Sequence, residues 1–361
     1  MILAEHESRP LGVAMLGAAH MTHAWAYARA LVDSPNARLV GIHDAEVDHT
    51  RWIRQDFDVP FFEDARALVA SPAVDAVVVC SANADHRAHV ELAASLGRHI
   101  LCEKPIATTV DDARAMITAC RQADVQLHIA FVSRFLPLVA RARDAVRSGR
   151  LGDLIGLVGG NRGRPPLPPS YPSWITDPMA AGGGALIDHS VHVTDVMRHV
   201  SGLEVTEVSA EAGSLLWDCG VDDVAILSLR FDNGAVGSVD PSWSVPANNP
   251  WDYDFYLRLV GTEGSLDITD AAESLLVVSN RHGGPRGVRH ASFAEDADRA
   301  MVEAFLASVR GGAVQEPCAT GEDGLRALEI ALAGYRSATS GSVAGRREPT
   351  IAPRAFRRRP S

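Results

Sequence analysis

Residues 13–31 read VAMLGAAHMTHAWAYARAL. An apolar run, Val13 to Leu16, meets a single glycine, Gly17, and continues into a stretch of helical character. In a dinucleotide-binding strand-to-helix turn, this is where G-x-G-x-x-G stands. The first glycine makes the tight turn, the second lets backbone approach the pyrophosphate, and the third lets the helix pack on the strand. Here the three positions hold Gly17, Ala19 and Thr22. Alanine still permits a fairly close approach, Thr22 is small enough for packing, and the helix N-terminus stays open to an anion. The same letters would also serve a plain strand-to-helix turn, so the rest of the chain decides. His20 and His23 have no carboxylate or cysteine at ligand spacing, which favours loop histidines near a cofactor over a metal pair.

Outward from this loop, residues 1–130 alternate two patterns. Apolar runs at Leu11–Leu16, Arg38–His43, Ala76–Cys80, His99–Cys102 and Val125–Phe131 alternate with helix-like segments near Ala24–Leu31, Asp48–Phe57, Asp85–Leu96 and Val110–Ala123. A run such as AVVVC needs cover on both faces, which a parallel sheet flanked by helices provides. A doubly wound Rossmann α/β domain is the expectation, with Gly17, Ala19, His20 and Met21 at the cofactor phosphates. The strand LVGIHD ends in Asp44, 22 residues beyond Thr22. A carboxylate there accepts hydrogen bonds from the adenosine ribose hydroxyls and repels a 2′-phosphate, so NAD is favoured over NADP.

Residues 131–345 change rhythm. A helix pattern at Leu136–Arg147 precedes a strand beginning in LGDLIGLVGG, the Pro-rich RPPLPPSYP, a glycine run and a helix near Ala185–Val200. β-rich stretches follow at Val205–Ala212, Val224–Phe231, Ala235–Ser242, Phe255–Val260 and Ser274–Val278, then helices near Asp296–Arg310 and Gly321–Ser340. This is an α+β domain with a mostly antiparallel sheet, expected to bind substrate and to pack on another subunit as a homodimer or homotetramer. Residues 346–361, with Arg354, Arg357, Arg358 and Arg359, form a basic tail, expected to be a solvated end.

A chain of 361 residues with 47% hydrophobic and 22% charged residues suits a soluble globular protein. The net charge of -11 argues against a nucleic-acid or anionic-membrane partner. Five scattered cysteines without a C-x-x-C suggest neither a disulfide framework nor a zinc knuckle. With a polar N-terminus lacking a signal-peptide core and no long apolar run, the expectation is a cytoplasmic protein.

Two stretches carry chemistry. CEKP, Cys102 to Pro105, ends a strand-like run, so Glu103 and Lys104 fall where ligands lie in an open α/β sheet. A Glu-Lys dipeptide is also a common surface ion pair. GGGALIDHSVHVTD, Gly182 to Asp195, puts Asp188, His192 and Asp195 at i, i+4 and i+7 on one helix face. Asp188, His189 and His192 could ligate zinc or manganese. Alternatively, Asp188 and His192 are acid–base groups beside a nicotinamide, or buried polar residues of an ordinary helix.

LGAAHMTHAWAYA, VDAVVVCSANADHRAHVELAASLGRHILCEKPIA, GGGALIDHSVHVTDVM and LVGTEGSL, in this order and spacing, resemble the Gfo/Idh/MocA family of NAD(P)-dependent oxidoreductases of sugars, inositols and related polyols. The resemblance runs over about residues 10 to 345 and departs in the loop, where the family usually keeps a second and third glycine. It implies that Lys104 binds the reacting hydroxyl with Asp188 and His192 beside it. It also implies that Ser81 and Asn83 line the nicotinamide ribose with His86 close by, Glu103 lies at the cofactor, and Arg134 lies near the domain junction on the substrate side. Imidazole is a natural proton acceptor near neutral pH, and a lysine ammonium stabilises a developing alkoxide. Lys104 would sit badly beside a cation, so no metal is expected.

Asn161, Arg162 and Arg164 open NRGRPPLPPSYPSW, with Tyr171 and Trp174 near. Aromatic faces suit sugar rings, and two arginines suit a carboxylate, phosphate or sulfonate, although a solvated basic loop reads the same way. The expectation is an NAD-dependent sugar dehydrogenase whose substrate carries an anionic group. Its rival is an NAD-dependent glycosidase that oxidises, eliminates, hydrates and re-reduces a glycoside; a non-catalytic nucleotide sensor is disfavoured by the full Lys-Asp-His set.

Overall fold

The computed structural model describes residues 9–168, 171–249, 253–269, 274–278, 288–292 and 296–346. The basic tail beyond Arg346 and the first eight residues lie outside them. The chain divides into two compact units. In the first, the apolar run before Gly17 forms β1 (Leu11–Leu16), followed by α1 (Met21–Asp33), β2 (Ala37–His43), α2 (Arg51–Phe57), α3 (Ala65–Val69) and β3 (Ala76–Val79). Then come α4 (His86–Ser95), β4 (His99–Cys102), α5 (Val110–Gln122) and β5 (Leu127–Ile129). Thr109 caps α5, its side chain accepting from Asp112 N.

Strands β1 to β5 pair in parallel, in the order β5-β4-β3-β1-β2. Every residue of β3 is buried, as a strand covered on both faces must be. Chain direction across the sheet reverses between β1 and β3, the position where open α/β sheets hold ligands. Gly17 lies there at φ +86, and a Cβ on it would stand 2.5 Å from the Ser81 backbone. Glycine therefore serves two ends at once: a left-handed turn, and contact between the ends of β1 and β3.

The second unit begins near Leu136. It contains α6 (Pro137–Arg147), β6 (Leu154–Gly163) and α7 (Ala185–Ser201), then β7 (Val205–Gly213), β8 (Val224–Phe231), β9 (Val236–Asp240), β10 (Tyr253–Gly261) and β11 (Ser265–Thr269). A separate antiparallel pair, β12 (Ser274–Val278) and β13 (Val288–Ser292), follows. The chain then forms α8 (Ala297–Gly311), β14 (Ala319–Thr320), α9 (Gly321–Ser340) and β15 (Ala344–Gly345). The main sheet has seven strands in the order β11-β10-β6-β9-β8-β7-β15 and is antiparallel except where β6 meets β9.

A simple boundary at residue 130 does not survive. Residues 296–325 return to the first unit. Met301, Val302, Phe305 and Leu306 of α8 share one core with Tyr27 and Leu31 of α1, and β14 pairs antiparallel with β5. An amphipathic helix goes where its apolar face finds cover, whatever its place in the chain. Arg346, assigned to the solvated tail by composition, is instead buried, 3.3 Å from Glu329 and 3.4 Å from Glu204.

In the second unit α7 covers one sheet face: a Cβ on Gly159 would press on Val193 and Met197, and one on Gly163 on His189. Alternation along β6 sends Val158 and Arg162 to the other face, where Ile155, Ile226 and Val236 are exposed as well. The glycine run before α7 has a specific use. A Cβ on Gly184 would lie 1.9 Å from the Asp222 carbonyl oxygen. The buried Asp222 carboxylate accepts from Gly184 N at 2.9 Å, Leu186 N at 2.7 Å and Tyr335 Oη at 2.7 Å, so it caps α7 from outside the helix. Gly184→Ala should lower stability by about 1–3 kcal/mol, the usual cost of forced overpacking, and reduce the melting temperature. An unchanged melt would contradict this packing.

Candidate active site

In the first unit the loop after β1 has the features an anion requires. No side chain caps the N-terminus of α1 and no acidic residue stands in its first turn. Its first backbone N–H groups are thus left for a phosphate. Asp44 follows β2; its Oδ2 accepts from Ala18 N at 2.6 Å and its Oδ1 from Glu46 N at 2.8 Å, so the carboxylate sits against the loop that Gly17 opens. His49 Nδ1 also lies 3.2 Å from Oδ1, and a carboxylate has capacity for a further donor beyond these three. These residues fit a dinucleotide: an uncapped helix end for pyrophosphate and an acid for the ribose.

Other residues expected at the cofactor have structural duties. Ser81 is buried and takes a hydrogen bond from His89 Nδ1 at 3.1 Å, while Asn83 Nδ2 donates to Ala181 O at 2.8 Å. His86 is fully buried, with Nδ1 3.1 Å from Pro105 O and Nε2 3.3 Å from Ser81 O. Burial lowers its pKa, so a neutral ring braces the turn after Lys104 rather than facing a ribose. Glu103 is 1% exposed and turns onto α1, where His23 Nδ1 and Tyr27 Oη both donate to its Oε1. It braces α1 against the Lys104 turn. Arg134, expected at the substrate, is also buried: it faces the carbonyls of Pro317 and Cys318 at 3.4 Å and lies 3.3 Å from Asp323. Its guanidinium holds the segment around β14. Lys104 is buried beside these residues.

In the second unit, Asp188, His189 and His192 lie in the first turns of α7; His189 and His192 are buried and Asp188 is partly exposed. Asp188 Oδ2 lies 3.3 Å from His189 Nε2 and accepts from Trp243 Nε1 at 3.2 Å. Trp243 is fully buried and shares a small apolar cluster with Ile175 and Val221, against which Tyr171 and Trp174 pack. The aromatic residues of the Pro-rich stretch therefore gather around the residue that fixes Asp188. Tyr253 meets the His189 ring edge-on, with centroids 6.0 Å apart. Neither Trp243 nor Tyr253 carries a sequence signal, because each reaches α7 from a distant segment of the sheet. Tyr27 had one: it stands at i+4 from His23, on the same face of α1.

The arginines come apart. Asn161 is buried in β6 on the α7 side. Arg162 is in the strand, not a loop, and alternation puts it on the opposite face. There it pairs with Asp254, Nε to Oδ2 at 3.0 Å, and lies 4.0 Å from Asp240. Its hydrogen bond to Asp254 comes first among the causes that raise its pKa. One cation beside two carboxylates leaves this group with an excess negative charge, which does not recommend it to an anion. Arg164 Nη2 donates to Asn249 O at 2.6 Å. Among the described residues, no group of three or more His, Cys, Asp or Glu is placed to hold a metal ion.

This combination of a doubly wound unit, a Glu-Lys-Pro turn and an Asp/His helix against an antiparallel sheet defines an oxidoreductase architecture. Residues 11–131 match the oxidoreductase family with an NAD-binding Rossmann fold, and residues 139–267 match the GFO/IDH/MocA C-terminal domain. The chain is 30% identical over 314 residues to myo-inositol 2-dehydrogenase of Thermotoga maritima, covering 84% of this chain and 89% of that protein. It is 32% identical to 1,5-anhydro-D-fructose reductase of Ensifer adhaerens, over 77% and 81% of the two chains. The structure of levoglucosan dehydrogenase in complex with NADH and L-sorbose is similar at a TM-score of 0.78 and 25% identity, over 95% of this chain and 100% of that one. The protein belongs to the Gfo/Idh/MocA family and is an NAD-dependent oxidoreductase.

The position of Asp44 makes a specific prediction. NAD should bind at least about tenfold more tightly than NADP, a difference of about 1.4 kcal/mol, in calorimetric titrations. Asp44→Ala should narrow that gap, and equal affinities in the unaltered protein would remove the role of Asp44.

Proposed function

We propose that the protein oxidises a secondary carbinol of a neutral cyclic polyol or sugar, with Lys104, Asp188 and His192 as its catalytic residues. Bound NAD supplies the hydride acceptor. The observation that carries the neutral reading is the pairing of Arg162 with Asp254 and Asp240 on the sheet face away from α7. This supports reading Arg162 as part of an ion-pair group on that face rather than as an anion site. The substrates for which the relatives are named, an inositol and an anhydrosugar derivative, are neutral ring compounds and support the same class.

The roles follow from charge. Loss of hydride from a carbinol carbon leaves a carbonyl only if the hydroxyl proton also leaves. His192 accepts that proton, and the Lys104 ammonium stabilises the alkoxide that develops as it goes. Asp188, held at Oδ2 by Trp243 and His189, orients the substrate ring. Tyr171, Trp174 and Tyr253 supply apolar faces for the C–H side of the ring. The same residues would serve transient oxidation in glycoside cleavage, but the dehydrogenase and reductase names of the relatives favour net redox chemistry.

For assembly, the sheet face bearing Ile155, Val158, Ile226 and Val236 is the natural contact between subunits of a dimer or tetramer, since exposed β-branched residues in a row gain by mutual burial. No described helix is long and apolar enough to cross a membrane. The five cysteines are free, which suits a reducing cytoplasm.

Lys104→Ala and His192→Ala should each lower kcat by about two or more orders of magnitude while NAD still binds. Chelators should leave activity unchanged. Full activity in either variant would overturn the assignment. Light scattering should give a dimer or tetramer, and Val158→Glu with Val236→Glu should release monomers; a wild-type monomer at micromolar concentration would refute the assembly.

A further inference from the structure

Glu103 joins three segments of the first unit at almost complete burial. Its backbone N–H donates to Val79 O at 2.9 Å, tying it to the end of β3. Its Oε1 accepts from Tyr27 Oη and, at 2.9 Å, from His23 Nδ1, both on α1. Its Oε2 accepts from the backbone N–H of Lys104 at 2.9 Å. One carboxylate thus connects the helix whose N-terminus is open to the dinucleotide with the residue assigned to the reacting hydroxyl. We propose that His23 and Glu103 form a strut that fixes the backbone of Lys104 to the dinucleotide helix, which makes His23 a positioning residue for the reaction. The inference rests on the catalytic reading of Lys104 for its consequence, but not for the strut itself.

Electrostatics supports the geometry. Burial works against a charged His23 ring, yet the charge and hydrogen bond of Glu103 outweigh it and raise its pKa above the ordinary value. Burial likewise opposes the Glu103 carboxylate, and His23, His20 and Lys104 together hold its pKa well below the usual range. The other groups around His23 are His20, stacked on it with centroids 4.0 Å apart, Tyr27 on the same helix, Lys104, and Asp298 on α8. Burial and the Glu103 charge push Asp298 up to about 6, with His23 acting the other way. Above that pH Asp298 is ionised and adds to the field that keeps the proton on His23. The strut therefore keeps its proton to a higher pH than an ordinary imidazole and loses it only as pH rises past the raised His23 value. An anion at the α1 N-terminus would favour the same proton, so cofactor and strut reinforce each other.

The test uses the full-length protein without cofactor. An NMR titration should show the His23 ring titrating above the ordinary histidine value, with the Lys104 amide resonance moving at the same midpoint. In Glu103→Gln the His23 midpoint should fall, and in His23→Gln the Lys104 amide should no longer respond. His23→Gln, which can still donate to Glu103 but carries no charge, should also lower kcat about ten- to a hundredfold, as misplacement of a catalytic group does, with little change in KM, and should lose the alkaline fall in kcat. A Lys104 amide indifferent to His23 titration, or a His23→Gln protein with wild-type kcat and pH profile, overturns the proposal. If the amide does follow His23 but Lys104→Ala is fully active, the strut stands and the catalytic reading of Lys104 fails. Should Glu103→Gln not fold, the His23→Gln pair of measurements decides alone.

Discussion

Each of the two units depends on the same kind of constraint: a glycine pressed against a neighbouring backbone. In the first unit Gly17 meets Ser81, bringing the ends of β1 and β3 together where the sheet order turns. In the second, Gly184 meets Asp222, whose carboxylate then takes the first free N–H groups of α7. Any side chain at either position would have to displace main chain rather than a flexible neighbour, and main chain in a sheet moves only with its strand. The dinucleotide loop and the Asp188 helix thus gain fixed positions within their own units from close backbone contact, before any ligand arrives.

This constraint also explains why the imperfect nucleotide loop suffices. Ala19 and Thr22 replace two glycines, but the position that must adopt positive φ keeps one. The phosphate site needs exposed N–H groups at a helix end more than it needs three glycines. α1 provides these by leaving its N-terminus without a side-chain cap. Beneath it, His23 and Tyr27 turn inward to Glu103, so the underside of the same helix is anchored to the Lys104 turn.

The alternating pattern of the first 130 residues was enough to read the parallel sheet, because strands buried on both faces are apolar throughout. The second sheet was legible as antiparallel from its period-two stretches. β11 escaped, since Ser265–Thr269 is short and mixed in character. Lys104, Asp188 and His192, the residues proposed to carry the chemistry, stand in motifs that the sequence displays. Orientation was not readable. Arg162 looked like a loop anion site until strand parity sent it to the far face, and Glu103 and His86 looked like ligands until burial turned them into supports. Trp243 acts on Asp188 across 55 positions of chain, a contact that only the folded sheet creates.

The central claim is that hydride leaves a ring carbinol and remains on the nicotinamide. The direct measurement is to incubate the enzyme with NAD and a neutral cyclic polyol deuterated at its carbinol carbons, and then examine the nicotinamide by mass spectrometry. The account predicts one deuterium at C4 of the reduced nicotinamide for each ketone formed. Reduced nicotinamide without deuterium would contradict it, as would ketone formation with no deuterium gained by the nicotinamide.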